Sequence, residues 1–270
     1  MDVARGVLVV LALAVTLFPV YWMLVTSVKP PPEVFRSPPA LVPAHPTFEA
    51  FATIFRERPM LRYVANSLIV SVGATAVSML LGSLAAYGFT RFHVRGAMVF
   101  VIALLFTRML PETLLIVPYF QLVSALGLID TYLALILAYT SFSLPFALWM
   151  LIGFFRGIPL DIDEAAVVDG ATRLQALVRV VLPLAGPGLV AVGFFTFIAA
   201  WNSYLWALVL TTRPEMFVIS VGVANMVGEY RVQWNELMAA SSIATVPVVL
   251  LFACFSRYLV AGATAGAVKG

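Results

Sequence analysis

Apolar residues run almost unbroken along this chain, and polar clusters cut the run into six membrane-length pieces. The pattern predicts spans at about Val7–Val28, Tyr63–Phe89, Ala97–Pro118, Tyr132–Phe155, Pro187–Leu210 and Leu237–Leu259. Each approaches the twenty or so apolar residues that a helix needs to cross a bilayer. Runs this continuous lack the apolar–polar alternation of a membrane β-barrel. The first run follows Arg5, and "ALA" at 12–14 mimics a cleavage site, but the run continues well past it. We read it as a retained anchor rather than a signal peptide.

The interruptions differ in kind. "KPPPEVFRSPPALVPAHPTFEAF" holds seven prolines and reads as an extended external loop with a short surface helix at Phe48–Phe55. "TRFHVRG" (90–96) is a short polar turn with Arg91 and Arg95. "TRMLPET" (107–113) breaks the third span and carries Arg108, Met109, Pro111 and Glu112. "QLVSALGLIDT" follows as an interfacial turn, and 211–236 is a second mixed polar loop. In the second span Ala74, Ser78, Gly82 and Ala86 recur every four residues, a small-residue stripe suited to close helix packing.

Composition agrees. Hydrophobic residues make up 62% of the 270 and charged ones 11%, against about 25% charged in a soluble domain. The net charge of +3 is spread out, so nucleic acid is not an expected partner. Cys254 is the only cysteine and reads as packing; His45 and His93 stand apart from any metal-ligand cluster. No G-x-x-x-x-G-K-[ST] loop is present, so the chain is not expected to bind ATP in that manner. No Ser/His, paired-Asp or H-E-x-x-H constellation marks a catalytic site, and none is assigned. With the amino terminus inside, basic residues divide eight inside to eight outside, and the positive-inside rule leaves orientation open.

One polar segment is built unlike a linker. Residues 156–185 form it, and the stretch "IPLDIDEAAVVDGATRLQALVRVVLPLAGPG" (158–188) carries its pattern. The seven charges from Arg156 to Arg179 keep it out of the hydrocarbon. Pro159 and a cap at Asp161 or Asp163 predict a short surface helix with Glu164 in its first turn. Gly170 predicts a tight turn or the close approach of another backbone. A second helical stretch, Arg173–Val181, should break at Pro183. The face formed by Asp163, Glu164, Ala165, Ala166, Asp169 and Gly170 is small and acidic. It suits insertion into a groove on a partner that offers a cation; a plain amphipathic connector is the alternative.

Glu164-Ala165-Ala166, then Gly170, then Val180 and Leu182-Pro183 resemble the EAA signature of permease subunits of binding-protein-dependent ABC importers, with valine in place of the usual isoleucine. "NSLIVS", "LAAYGFTRF", "LGLIDTYLALILAY", "LPFALWMLIGFFRGIP" and "WNSYLWAL" resemble the second permease subunit of maltose-type carbohydrate importers. The resemblance covers roughly residues 60 to 260, with the first span similar only in layout. It implies an all-α integral membrane protein: six transmembrane helices in the type I importer fold, with a cytoplasmic coupling helix. The implied layout is a first helix and external loop at 1–61, a permease core at 62–260 and a short cytoplasmic tail at 261–270. The implied function is half of the translocation pathway for a di- or oligosaccharide. The implied partners are a second permease subunit, two ATPase subunits carrying ATP and Mg, an extracytoplasmic sugar-binding protein and the lipid bilayer. The implied site is the cytoplasmic membrane of a bacterium or archaeon, with both termini cytoplasmic. Residues 161–171 would be the coupling helix, with Glu164 paired to an ATPase arginine.

A sugar pathway wants hydrogen-bonding groups and flat aromatic faces. Trp201, Asn202 and Tyr204, and Arg108, Met109 and Glu112, are the candidates, with Asn66 and Asn225 weaker. Interface-belt aromatics and a local Arg108–Glu112 pair are the competing readings. A gradient-driven transporter or channel would usually carry mid-span carboxylates, and only Glu112 lies near a span. Glycerol phosphate or another small polar solute is the rival cargo within ABC importers.

Overall fold

The computed structural model describes residues 2–228 and 232–267, with side chains for 4–228 and 232–258. The described residues are helical apart from loops and one isolated bridge between Val227 and Val232. The principal helices are α1 (Asp2–Ser27), α2 (Glu49–Glu57), α3 (Met60–Arg91), α4 (Ala97–Thr107), α5 (Glu112–Ala125) and α6 (Tyr132–Arg156). After them come α7 (Leu160–Val168), α8 (Arg173–Leu184), α9 (Gly186–Trp201), α10 (Leu205–Leu210), α11 (Ile219–Ala224) and α12 (Trp234–Ala267). Residues 268–270 of the expected tail, and its side chains, lie outside the described residues.

Four of these helices are long and apolar enough to cross a membrane: α1, α3, α6 and α12. Six spans result if each of two bent pairs counts as one: α4 with α5, bent by 96°, and α8 with α9, bent by 84°. The first bend falls where "TRMLPET" was expected to interrupt. The helix beyond it runs to Ala125, so "QLVSA" is helix rather than turn. It ends in paired reverse bonds, Gly127 N–H to Ser124 O and Leu128 N–H to Val123 O, with Gly127 at φ 68°.

Two further expectations change. The predicted fifth span is not one helix to Leu210: it stops at Trp201 and resumes at Leu205. The carbonyl of Ser203 in the gap accepts from the Tyr139 hydroxyl at 3.3 Å. Nor does Pro183 break its helix. Residues Leu177–Val181 widen into a π-helical turn just before it, and the chain stays helical through Leu184. Such a wide turn lets backbone bonds be rearranged around a proline that has no N–H to give.

The chain packs as two compact units. One comprises residues 1–64 and 218–247. Within it α1 is exposed from Ala4 to Val20, as expected of a helix that leaves its apolar side to lipid or a neighbour. The proline-rich segment is tied back onto the end of α1. Lys29 is buried, donates to Ala40 O at 2.7 Å and lies 4.2 Å from the Trp22 ring. Glu33 accepts from Ala44 N–H at 2.7 Å, and Tyr21 donates to Leu41 O at 2.7 Å.

The other unit comprises 65–217 and 248–270. The small-residue stripe on α3 is buried, and a Cβ on Gly82 would come within 3.0 Å of Leu151 on α6. That close approach builds the core, where Ala86, Leu148, Leu151, Phe155, Val181 and Val192 pack together. Cys254 is exposed on α12, so it is not the packing residue its apolar run suggested.

Candidate coupling site

The site grows from the ends of α3 and α6. Arg91 closes α3, and its guanidinium turns inward with 2% of the side chain exposed. Two of its nitrogens donate to carbonyls at and just past the end of α6: Phe155 O (3.3 Å), which also accepts from Ile158 N–H, and Ile158 O (3.2 Å). Its Nε donates to Asp163 Oδ2, forming a buried ion pair. One side chain thus fastens the end of α3 to the end of α6 and the start of α7, 64 to 72 positions away in sequence.

Helix α7 begins at Leu160 behind Pro159, whose φ of −56° suits the entry. The expected cap at Asp161 or Asp163 is not the one formed: both acids sit in the first turn, where the positive helix end favours them. Asp163 is 1% exposed and spent on Arg91, so it holds the helix from below rather than presenting itself to a partner. Asp161, Glu164, Ala165 and Asp169 are exposed, and Ala166 is half-buried. Apolar side chains accompany them: Leu160 is 51% exposed and Val168 86%. This face pairs acids with bare apolar surface.

Gly170 stops α7 at φ 89°. Its N–H donates to Val167 O and that of Ala171 to Ala166 O, both at 3.0 Å, the paired closure that a left-handed residue permits. Nothing lies within 4 Å of where its Cβ would be, so the turn, not close approach within the chain, is what requires glycine. Helix α8 then starts with a reciprocal cap. Thr172 Oγ1 accepts from Gln175 N–H at 3.3 Å, and Gln175 Oε1 accepts from Thr172 N–H at 2.9 Å.

The pathway candidates separate. Trp201 is buried and stacks on Phe197 with centroids 5.7 Å apart. Asn202 and Tyr204 lie exposed in the gap between α9 and α10, so they do not continue the helix that carries Trp201. Arg108, Met109 and Glu112 are exposed at the bend between α4 and α5. Arg108 donates to Phe142 O instead of pairing with Glu112. Trp206 is core, held between Tyr119 and Phe142 with centroids at 5.0 and 4.7 Å. Asn66 is structural too: it donates to Glu215 O and Phe217 O, both at 2.9 Å, and accepts from the Tyr132 hydroxyl at 2.7 Å.

Sequence reasoning passed over Asp130. It stands at φ 61° just before α6 and accepts from Thr212 N–H (2.7 Å), Thr212 Oγ1 (2.5 Å) and Arg213 N–H (3.0 Å). Its own N–H donates to Leu210 O at 3.0 Å. The only available signal was the aspartate preceding Thr131, whose hydroxyl caps α6 by accepting from Ala134 N–H at 3.2 Å.

Over residues 78–264 the chain matches the family described as "Binding-protein-dependent transport system inner membrane component". It belongs to that family. This permease is 38% identical over 262 residues to the inner membrane ABC transporter permease protein YcjP of Escherichia coli (strain K12), covering 96% of this chain and 94% of that one. It is 36% identical over 265 residues to the trehalose/maltose transport system permease protein MalG of Thermococcus litoralis, covering 97% and 94%. It is 37% identical over 267 residues to the trehalose transport system permease protein SugB of Mycobacterium tuberculosis, covering 98% and 97%. These similarities take in the first helix as well as the permease core. In fold it superposes, with a TM-score of 0.82 at 22% identity and 95% of each chain covered, on a chain of a bacterial ABC transporter involved in import of the acidic polysaccharide alginate. The architecture is therefore that of a type I importer permease, and the gradient-driven alternative has no support.

Proposed function

We propose that this permease lines half of the translocation pathway for a di- or oligosaccharide in an ATP-driven importer of a bacterial or archaeal cytoplasmic membrane. The names of its trehalose and maltose relatives support the substrate class. The observation that carries the mechanism is an exposed acidic and apolar helix pinned from beneath by a buried ion pair. A docked helix relays force only if its own footing is rigid, and Arg91 supplies that footing.

In this reading α7 seats in a cleft on one of two cytoplasmic ATPase subunits. Glu164 pairs with a partner cation, and Ala165 and Ala166 allow close approach. Asp169 and Gly170 close the helix, and Asp163 keeps its register. Both termini are cytoplasmic. A second, homologous permease supplies the other half of the pathway, and an extracytoplasmic binding protein delivers the sugar. ATP and Mg reside on the partner subunits; no group of this chain performs chemistry on them. Closure of the ATPases around ATP favours one arrangement of the docked helices, and the pathway follows through that difference in affinity between two states. The breaks at Asn202–Tyr204 and at Arg108–Glu112 put polar groups where a sugar's hydroxyls find them, as interrupted membrane helices do elsewhere. Met109 contributes apolar surface there, and Trp201 backs the first break from within the core.

The test is uptake of radiolabelled trehalose and maltose into vesicles holding the assembled complex, with and without internal ATP. Uptake should need ATP and ignore proton or sodium gradients. Glu164→Arg combined with Gly170→Leu should abolish it by loosening the ATPases. Undiminished transport by that double variant, with all subunits still bound, would overturn the coupling role.

A further inference from the structure

A groove of about 660 Å³ opens between α3, α4, α6 and α9, within the range of roughly 300–1,000 Å³ typical of small-molecule sites. Its walls are apolar, from Phe89, Met98, Val101, Trp149 and Pro187. Among the described residues, its one charged lining residue is Arg156, the last residue of α6. Arg156 is exposed and has no ion-pair partner among the described residues.

The floor is made by an omission. Gly153 lines the groove between Trp149 and Arg156, and a Cβ built there meets nothing within 4 Å. Trp149, Gly153 and Arg156 share one stripe of α6, with the two ends about 10 Å apart along the axis. Because α6 is a candidate membrane span that ends at Arg156, the guanidinium falls at the boundary between hydrocarbon and headgroups, with the groove running inward from it. Tryptophan and arginine near a span's end are common anchors to that boundary.

We propose that this groove holds an anionic glycerophospholipid, with one acyl chain along the apolar walls and the phosphate on Arg156. A single molecule with a negative head and a hydrocarbon tail matches both halves of the site. Basic pockets between membrane helices bind such headgroups by this complementarity. The groove lies beside α6, whose terminal carbonyl at Phe155 is held by Arg91, so its occupant would buttress the footing of α7.

The full chain, purified with its co-assembled subunits, would be exchanged into bilayer discs of equal parts phosphatidylglycerol and phosphatidylcholine, and retained lipid counted by native mass spectrometry. Phosphatidylglycerol should be retained in preference. Arg156→Gln should cut that preference about tenfold, the value of one charge-assisted hydrogen bond, and Arg156→Lys should keep most of it. Gly153→Leu should expel lipid of either headgroup by filling the floor. Equal retention of the two lipids by the unaltered protein, or a preference unchanged in Arg156→Gln, would overturn the assignment. Arg156 is exposed, so its variants should fold even if Gly153→Leu does not. The readout is lipid, not uptake, so this inference can fail while the sugar-import reading stands, and the reverse.

Discussion

Two aspartates tie distant segments of this permease together, in opposite ways. Asp163 is 1% exposed and meets a single cation, Arg91, which is itself buried. Asp130 gathers two backbone N–H groups and a hydroxyl beside an arginine whose side chain is 65% exposed. The first tie depends on charge neutralising charge away from water, where losing one member strands the other. The second depends on many donors around one carboxylate, and water stands ready to replace any of them. A helix meant to transmit force should rest on a tie of the first kind. A loop junction that needs only to stay closed can use the second.

The contrast breaks most readily at Arg91. Arg91→Ala leaves Asp163 buried without its cation and removes one donor each from the Phe155 and Ile158 carbonyls. The expected loss is about 3–5 kcal/mol, read as a lower unfolding temperature of the purified complex, together with loss of ATP-driven uptake. The double variant Arg91→Met with Asp163→Leu should recover much of the stability, because well-packed apolar residues often replace a buried pair at little cost. Equal damage in the single and double variants would mean that shape, not charge, holds α7.

Smaller effects are expected where α7 ends. At φ 89° any side chain at Gly170 is strained, so Gly170→Ala should cost about 1–2 kcal/mol, although the space around it is empty. Thr172→Ala removes one half of the reciprocal cap on α8 and should cost about 1 kcal/mol. Unfolding in denaturant measures both. If Gly170→Ala proves harmless, the turn has other ways to close and the motif's glycine serves the partner rather than this chain.

Much of the fold was legible because the bilayer writes it in the coarsest code available, the length of apolar runs. The small-residue stripe on α3 was legible for the same reason: a four-residue repeat needs no knowledge of the partner. The surface helix around Glu164 was visible as charge density where charge is costly. What stayed hidden was pairing across sequence distance. Arg91 looked like a topology marker in a short turn, and nothing local says that its guanidinium reaches Asp163, 72 positions away. Trp201 looked like a sugar platform because tryptophan at a span's end suits several jobs, and only its burial and its stacking on Phe197 decide among them. The helix break at Asn202–Tyr204 was missed because a mean apolar run does not register one carbonyl that accepts from Tyr139.

The smallest effect expected at neutral pH belongs to Asp130, and acid sharpens it. Burial pushes its carboxyl pKa up, but the Thr212 hydroxyl, the Arg213 and Thr212 N–H groups and the Arg213 charge together outweigh burial and hold it below the usual aspartate value. The folded state therefore binds this proton less readily than the unfolded chain does. The stabilisation is complete above the unfolded aspartate pKa of about 3.9 and is lost as pH falls through the lower, folded value. Asp130→Asn should thus lower the unfolding temperature modestly at neutral pH, and the gap from the unaltered protein should close in strong acid. A gap that stayed constant across that range would show the carboxylate's charge to be idle, leaving hydrogen-bond geometry alone to hold the junction.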